Sequence, residues 1–138
     1  MRIDKNDLLL YAVTDRQWLG EASLAEQLEE AIQAGVTVVQ LREKELDFDA
    51  FVSLGKELQA VAKCHRIPFI INDAVDVALA LDADGVHVGQ SDMQAGDVRS
   101  RIGEGKILGV SAHSVEEALA AERNGADYLG VGAIYGTA

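Results

Sequence analysis

IINDAVDVALALDADGVHVGQSDM, residues 70–93, contains two short apolar runs, and each run ends in polar residues that its burial does not require. The first run is followed by Asp73, and the second ends in GQSD with Asp92 last. The segment between them, 75–81, has the length and spacing of a short helix. Two continuously apolar strands joined by a helix are typical of a parallel sheet that helices cover. Because parallel strands end at one edge of their sheet, we expect both aspartates at that edge.

The same alternation of strand and helix extends along the whole chain. Apolar or β-branched runs predict strands at 8–13, 36–41, 67–71, 85–88, 107–110 and 128–131, and helical spacing predicts helices at 23–35, about 48–65, 75–81, about 97–102 and 114–125. Two of the helices begin with a capping box, in which Ser23 or Ser114 is followed three residues later by a glutamate. Gly35 and Gly125 are placed to end these two helices.

A short internal repeat favours a barrel over an open sheet. ADGVHVG at 83–89 resembles ADYLGVG at 126–132, and each follows a predicted helix. Strands that begin alike suit a rotationally repetitive barrel, although short buried strands also resemble each other by chance. No G-x-G-x-x-G turn follows the first strand, which argues against a dinucleotide-binding sheet. We therefore predict a (β/α) barrel, with residues 1–138 forming a single, partial barrel domain.

Charge and composition exclude several classes of partner. The net charge of −11 and the pI near 4.5 argue against nucleic acid, because phosphate backbones require a basic surface. No apolar run reaches the length of about 18 residues that a membrane span needs, and the N-terminal segment lacks the pattern of a secretory signal. The single cysteine, Cys64, fits a reduced, cytoplasmic location. An acidic protein that binds a phosphorylated small molecule must gather its few cations, or a metal ion, at one site.

The end of the second predicted strand carries such cations. Val38, Gln40, Arg42 and Lys44 share one side of the chain at a period of two, if the strand persists that far. Two cations and an amide at the mouth of a barrel would suit a phosphate or a pyrophosphate. The alternative is a solvated surface charge run, REKE at 42–45.

Asp73 and Asp92 have two possible roles. Each could act as a cap, Asp73 for the next helix with Asp76 as its partner, and Asp92 for a turn. Alternatively, both carboxylates could reach one Mg²⁺, which proteins commonly hold with two carboxylates and substrate phosphate oxygens. The second role also satisfies the requirement that the net charge imposes. His87 has the parity of an inward-facing residue, and we expect it to be a hydrogen-bonded interior group.

Several motifs together resemble the thiamine phosphate synthase family. They are LYAVTDR, QLREK, INDAVDVALALDADGVHVGQSDM and LGVSAHSVEEALAAERNGADYLGVGAIYGTA, and they follow the family's order over essentially the whole chain. The resemblance implies a TIM (β/α)8 barrel, of which about the first six strands are present. It also implies a transferase of thiamine biosynthesis that joins hydroxymethylpyrimidine pyrophosphate to thiazole phosphate. In the implied dissociative mechanism, pyrophosphate leaves, a pyrimidine cation forms, and the thiazole nitrogen captures it.

The resemblance also assigns roles to individual residues. The residues that it implies for binding of the pyrimidine pyrophosphate are Gln40, Leu41, Arg42, Glu43, Lys44 and Asn72, and Ser111 matches another substrate-binding position. Asp73 and Asp92 match the Mg²⁺ ligands, and Thr137 matches the first residue of the loop that holds the thiazole phosphate. Mg²⁺ and the two cations would stabilise the charge that builds up on the leaving group. The resemblance leaves any general base unassigned.

The family continues beyond Ala138, where this sequence stops. In the family the phosphate loop runs past Thr137 to a second threonine and a lysine, and two more strands follow. We therefore expect a C-terminally truncated barrel whose open edges pair with a second copy, as a homo-oligomer, or belong to a longer polypeptide. Two other functions remain open: a non-catalytic fragment that at most binds ligand, and a relative resembling a thiazole tautomerase. The tautomerase is disfavoured by the joint presence of the pyrophosphate-binding and metal-binding residues Gln40, Arg42, Lys44, Asn72, Asp73 and Asp92.

Overall fold

The computed structural model describes residues 2–90 and 95–136, in which parallel strands alternate with helices. The strands are β1 (Tyr11–Val13), β2 (Val38–Leu41), β3 (Phe69–Asn72), β4 (Gly85–Val88), β5 (Ile107–Ala112) and β6 (Tyr128–Val131). The helices are α1 (Leu24–Gln33), α2 (Phe48–Cys64), α3 (Val75–Leu81), α4 (Ala95–Ile102) and α5 (Val115–Arg123), and a short 3-10 helix spans Arg16–Trp18. Within the described residues, no helix is both long and apolar enough to cross a membrane.

Each strand pairs with the next strand along the chain. The order is β1-β2-β3-β4-β5-β6, and every pair is parallel. The sheet is strongly curled, because the rings of Tyr11 on β1 and Tyr128 on β6 lie 5.6 Å apart although four strands separate them. A flat sheet would place these strands about 24 Å apart, at about 4.8 Å per step. Over the described residues the predicted architecture of a partial (β/α) barrel is confirmed.

The two faces of the sheet pack against different partners. Val39 and Leu41 of β2 are fully buried in the large core between the sheet and the helices. Val38, Ile70 and Ile107 form a separate, fully buried cluster on the concave face. This alternation along β2 follows the period-two expectation for residues 38–41, and it fixes which side chains point into the barrel.

The two predicted capping boxes have different outcomes. At α1 the box is complete: the Glu26 N–H donates to Ser23 Oγ at 3.1 Å, and the Ser23 N–H donates to the Glu26 carboxylate at 3.4 Å. At α5 only the first half forms, because the Glu117 carboxylate reaches one residue further back and accepts the N–H of His113 at 3.2 Å. Ser114 therefore caps α5, as predicted, but without the reciprocal bond.

The first strand is shorter than the predicted 8–13, because it begins at Tyr11. Thr37 accounts for the difference: its hydroxyl accepts the N–H of Leu10 at 2.9 Å and donates to the carbonyl of Asp7 at 2.6 Å. These bonds hold the preceding residues in turns. The other predicted strands lie within two residues of the observed ones.

The internal repeat corresponds to a repeated contact. Asp84, just before β4, accepts at Oδ2 the N–H of Phe69 at the start of β3, at 2.8 Å. Asp127, just before β6, accepts the N–H of Leu108 in β5 in the same way, also at 2.8 Å. The Asp127 carboxylate pairs in addition with the buried Arg99, at 2.6 Å. The two similar segments therefore fix a new strand beside the preceding one by the same hydrogen bond.

Candidate functional site

A cavity of about 560 Å³ opens on the concave face of the sheet. Its lining comprises Leu8, Tyr11, Val13, Gln40, Arg42, Asn72, His87, Ser111, Tyr128, Leu129 and Gly130. Four of the predicted substrate-binding residues, Gln40, Arg42, Asn72 and Ser111, are thus brought together from β2, β3 and β5. Arg42 is the only residue in this described lining with a formal charge, so the cavity has a cationic edge within an acidic protein.

Thr14 positions the backbone of Arg42 at the mouth of the cavity. Strand β2 ends at Leu41, and beyond it the Arg42 N–H donates to Thr14 Oγ1 at 3.0 Å. The Thr14 N–H in turn donates to the carbonyl of Gln40, also at 3.0 Å. These bonds extend the contact between β1 and β2 by one residue and hold Arg42 beside the cavity.

The other three predicted residues of this segment point elsewhere. Leu41 is fully buried in the core between sheet and helices, so only its backbone is available to a ligand. The Glu43 carboxylate pairs with Arg16 at 2.7 Å and is 7% exposed. Lys44 is exposed and is not part of the cavity lining. The period-two prediction is therefore wrong for Lys44, because the strand that would set its parity ends three residues earlier.

Asp73 does not cap α3. Its backbone is in the left-handed region, with φ of +62°, and its N–H donates to the carbonyl of His87 at 2.9 Å. The residue at the N-cap is Ala74, whose side chain makes no capping bond, and Asp76 pairs with Arg101. The capping alternative is therefore wrong for Asp73: the bond to β4 places it before the first turn of the helix.

The Asp73 carboxylate lies at the rim of the large cavity. The side-chain amide of Asn72, which lines that cavity, donates to Asp73 Oδ2 at 3.1 Å. Asp73 itself lines a smaller neighbouring cavity of about 340 Å³, together with Phe48 and Arg101. The carboxylate is thus placed one side chain away from the cationic cavity.

The oxygen donors at this rim fit Mg²⁺. Among residues 2–90 and 95–136, no group of three or more His, Cys, Asp or Glu side chains is arranged to hold a metal ion. Mg²⁺ does not require such a group, because one or two carboxylates and substrate phosphate oxygens commonly hold it. Asp73 meets that condition. The predicted second ligand, Asp92, and the predicted phosphate-loop residue, Thr137, lie outside the described residues.

A continuous chain of hydrogen bonds crosses the floor of the cavity. Gln40 Nε2 donates to Tyr11 Oη at 3.0 Å, and Tyr11 Oη lies 2.5 Å from Tyr128 Oη. Tyr128 Oη is 3.0 Å from His87 Nδ1, and His87 Nε2 is 2.9 Å from Ser111 Oγ. The five side chains come from five strands, so the chain ties the curled sheet together across its concave face.

Burial shifts the pKa values of three side chains in this hydrogen-bond chain. It lowers the pKa of the His87 imidazole to about 4 and raises the pKa of the Tyr128 and Tyr11 hydroxyls above their ordinary value of 10. All three groups are therefore neutral at pH 7. The expectation that His87 is a hydrogen-bonded interior group is confirmed.

The low pKa of His87 predicts a loss of stability in acid. In the unfolded chain His87 takes up a proton below about pH 6.5, whereas the folded chain resists it until about pH 4. Stability therefore falls as the pH drops through that window, by about 2 kcal/mol at pH 5 from this group alone. Urea unfolding at pH 7 and pH 5 should show this extra loss relative to His87→Gln, which cannot titrate. Equal losses in the two proteins would contradict a buried neutral imidazole.

Sequence analysis did not identify Tyr11 and Tyr128 as site residues. Both lie in apolar runs that predict strands, although their hydroxyls are the centre of the hydrogen-bond chain. The signal was present in their parity: Tyr11 pairs with Val38 in the register, and Tyr128 pairs with Gly109, both at inward-facing positions. A tyrosine at an inward position of a barrel strand usually has a partner for its hydroxyl, because a buried hydroxyl needs one.

Comparison with known proteins gives consistent results. The family described as "Thiamine monophosphate synthase" matches residues 10–138. The chain is 57% identical to the thiamine-phosphate synthase of Clostridium acetobutylicum, over 95% of this chain and 62% of that protein. It is 53% identical to the thiamine-phosphate synthase of Clostridium tetani, over 95% of this chain and 63% of that protein. The solved thiamine phosphate pyrophosphorylase of Pyrococcus furiosus superposes with a TM-score of 0.86 at 41% identity, over 94% of this chain and 62% of that one. The chain therefore spans a little under two thirds of the length of these relatives.

Proposed function

Because the chain belongs to the thiamine monophosphate synthase family, we propose that it functions in a thiamine phosphate synthase, a transferase of thiamine biosynthesis. The reaction joins hydroxymethylpyrimidine pyrophosphate to thiazole phosphate and releases pyrophosphate. The observation that carries the proposal is the convergence of Gln40, Arg42, Asn72 and Ser111 on one cavity of about 560 Å³. These residues come from three strands or their ends, β2, β3 and β5, and a cationic guanidinium beside three uncharged polar groups suits a polar ring that carries a pyrophosphate.

The residues of the cavity have distinct parts in this reaction. Arg42 donates to the pyrophosphate oxygens, whose negative charge grows as the bond to the pyrimidine breaks, so its stabilisation is greatest in the transition state. Gln40, Asn72 and Ser111 hold the pyrimidine end by hydrogen bonds. The lining also contains the apolar side chains of Leu8, Val13 and Leu129, which offer no hydrogen bond to a water that could capture a pyrimidine cation in place of the thiazole nitrogen.

Mg²⁺ is part of the proposal. Asp73, with Asp92, would hold the ion together with the pyrophosphate oxygens, and the bound ion would neutralise charge on the leaving group. The acidic composition supports this assignment, because a chain with a net charge of −11 has few cations to spare for a pyrophosphate. The Asp73 carboxylate at the rim is of the ligand type that Mg²⁺ prefers.

Location and assembly complete the proposal. We place the protein in the cytoplasm, in keeping with its one cysteine, the exposed Cys64 at the end of α2. We also propose a homo-oligomer, since apolar side chains are exposed along both outer strands, including Leu10 beside β1 and Val131 in β6. Light scattering gives the test: a monodisperse single chain would rule the homo-oligomer out.

Arg42→Lys should weaken binding of the pyrimidine pyrophosphate about tenfold. Lysine keeps the charge but replaces a planar fork of donors with a single point, which loses the two-pronged contact with phosphate. Isothermal calorimetry with hydroxymethylpyrimidine pyrophosphate and Mg²⁺ measures the change. Arg123→Lys is the matched control, because Arg123 is exposed in the last turn of α5, away from the cavity. Equal affinity of the Arg42→Lys protein and the wild type would show that Arg42 is a solvated surface residue.

Turnover distinguishes the remaining alternatives. The chain and the full-length Clostridium acetobutylicum synthase are assayed side by side for release of pyrophosphate in the presence of thiazole phosphate. Binding without turnover identifies the chain as a ligand-binding fragment. Failure to bind hydroxymethylpyrimidine pyrophosphate at all would refute the proposed function.

A further inference from the structure

The direction of hydrogen-bond donation on the cavity floor is set at its Gln40 end. The nitrogen of the Gln40 amide only donates, and it donates to Tyr11 Oη at 3.0 Å. The Tyr11 hydroxyl has one proton, which cannot go back to an amide nitrogen. Among the described residues, the acceptor within reach of that proton is Tyr128 Oη, at 2.5 Å.

The direction continues unchanged to the other end of the chain. Tyr128, whose oxygen accepts from Tyr11, sends its own proton to His87 Nδ1 at 3.0 Å. The imidazole then carries its proton on Nε2 and donates it to Ser111 Oγ at 2.9 Å. Ser111 accepts from His87, so its own hydroxyl proton is available to the cavity that it lines.

The opposite direction leaves a donor without an acceptor. If Ser111 donated to His87 and the donation ran back to Tyr11, the Tyr11 oxygen would receive bonds from both neighbours. Its proton would then have no acceptor among the residues described. If His87 carried a proton on both nitrogens, its Nδ1–H would donate to Tyr128, and a tyrosine proton would again lack an acceptor among the residues described. The forward direction gives the protons of Tyr11, Tyr128 and His87 an acceptor each among these side chains. A donor that lacks an acceptor costs about 1–3 kcal/mol where it is buried, so the forward direction is favoured.

Two glycines leave the space that the rings of Tyr128 and His87 occupy. A Cβ on Gly109 would lie 2.5 Å from Cε1 of Tyr128, and one on Gly130 would lie 3.2 Å from Cε1 of His87. The rings therefore occupy the space that side chains at these positions would fill. At the far end, Gln90 Nε2 donates to the carbonyl of Ser111 at 2.7 Å and fixes its backbone.

We propose that Tyr11, Tyr128 and His87 are positioning residues, which transmit the direction of donation from Gln40 to Ser111, so that Ser111 presents a hydroxyl proton to the cavity. The group of the ligand that lies against Ser111 is then a hydrogen-bond acceptor without a proton of its own, either a phosphate oxygen or an unprotonated ring nitrogen. An N–H group in that place would be disfavoured. The identity of the ligand rests on the proposed function, whereas the direction of the chain does not.

The tautomer of His87 tests the direction without any ligand. In ¹⁵N-labelled protein at neutral pH, long-range ¹H–¹⁵N spectra distinguish a ring protonated on Nε2 from one protonated on Nδ1. We expect the Nε2–H tautomer alone. A ring protonated on Nδ1, or on both nitrogens, would overturn the proposal. Because no substrate is added, this result is independent of whether the protein is a synthase.

Gln40→Glu should reverse the direction of donation along the hydrogen-bond chain. A carboxylate at this position only accepts, so Tyr11 would donate to it, Tyr128 to Tyr11, and His87 from Nδ1 to Tyr128. The spectrum is recorded at a pH at which the ¹³C shift of the introduced carboxyl shows that it is ionised. We expect His87 to change to the Nδ1–H tautomer. In a Tyr11→Phe background the same substitution should leave the tautomer unchanged, because the connection is broken. A wild-type tautomer in the single variant would overturn the role of Gln40.

A double-mutant cycle tests whether the hydrogen-bond chain affects ligand binding through Ser111. Ser111→Ala and Tyr128→Phe should each weaken binding of hydroxymethylpyrimidine pyrophosphate about tenfold, and the double variant should be no weaker than the weaker single variant. A loss in the double variant equal to the product of the two single losses would show that Tyr128 acts independently of Ser111, which would overturn the proposal. If the wild type does not bind, the proposed function fails, and the tautomer measurement still decides the direction of the chain.

Discussion

Asp73→Ala should lower the Mg²⁺-dependent affinity for the pyrimidine pyrophosphate on the order of 100-fold, about 2.7 kcal/mol. The carboxylate lies at the rim of the cavity, where the Asn72 amide donates to it at 3.1 Å. Its removal takes away a carboxylate that would bind Mg²⁺ together with the phosphate oxygens. Calorimetric titration with and without Mg²⁺ measures the loss.

The control for this experiment is Asp49→Ala, which removes an exposed carboxylate from the first turn of α2. Its loss should leave the affinity within about twofold of the wild type, since it changes only the net charge and a weak helix-dipole interaction. Asp92→Ala is expected to behave like Asp73→Ala, because the resemblance assigns both residues to one ion. A wild-type Mg²⁺ dependence in Asp73→Ala would refute the metal assignment.

Gly85→Ala should destabilise the fold by about 3 kcal/mol or more, which is a large part of the stability of a small domain. A Cβ on Gly85 would lie 2.6 Å from Cβ of Ile107 and closer still to its carbonyl oxygen. Gly85 and Ile107 are register partners in β4 and β5, so the backbone cannot move apart without breaking the ladder. Urea unfolding measures the change.

Gly105→Ala is the matched control for this substitution. A Cβ at Gly105 would have no atom within 4 Å, and its stability should stay within about 0.5 kcal/mol of the wild type. If Gly85→Ala were as stable as this control, the close approach of β4 and β5 would be wrong.

The arrangement of the sheet could be predicted from the sequence, because it depends on local pattern. The apolar runs and the caps at Ser23 and Ser114 are short-range features, and continuous burial of a run such as 85–88 is typical of a parallel strand. The parity of His87 placed it inside the barrel for the same reason. For these residues, whose orientation is determined by their neighbours along the chain, sequence analysis and structure agree.

The site could be predicted only in part, because several of its contacts join residues distant in sequence. Lys44 lies outside the cavity lining because β2 ends at Leu41, and the N–H of the next residue, Arg42, donates to the side chain of Thr14. Asp73 does not cap α3 because its N–H donates to the carbonyl of His87 in the neighbouring strand. Tyr11 and Tyr128 meet across 117 positions of sequence, which no local pattern shows.

The order of the strands bears on how the protein is made. Since each strand after β1 pairs with the one synthesised just before it, each β-α unit that leaves the ribosome finds its partner strand already synthesised. Apart from the edge of β1, only the edge of the newest strand is open during translation, and the next strand covers it, which shortens the time in which that edge is open to aggregation. Hydrogen exchange on stalled nascent chains should therefore show β2 protected as soon as β3 has emerged, and a β2 that gains protection only after β6 would indicate that the sheet forms all at once.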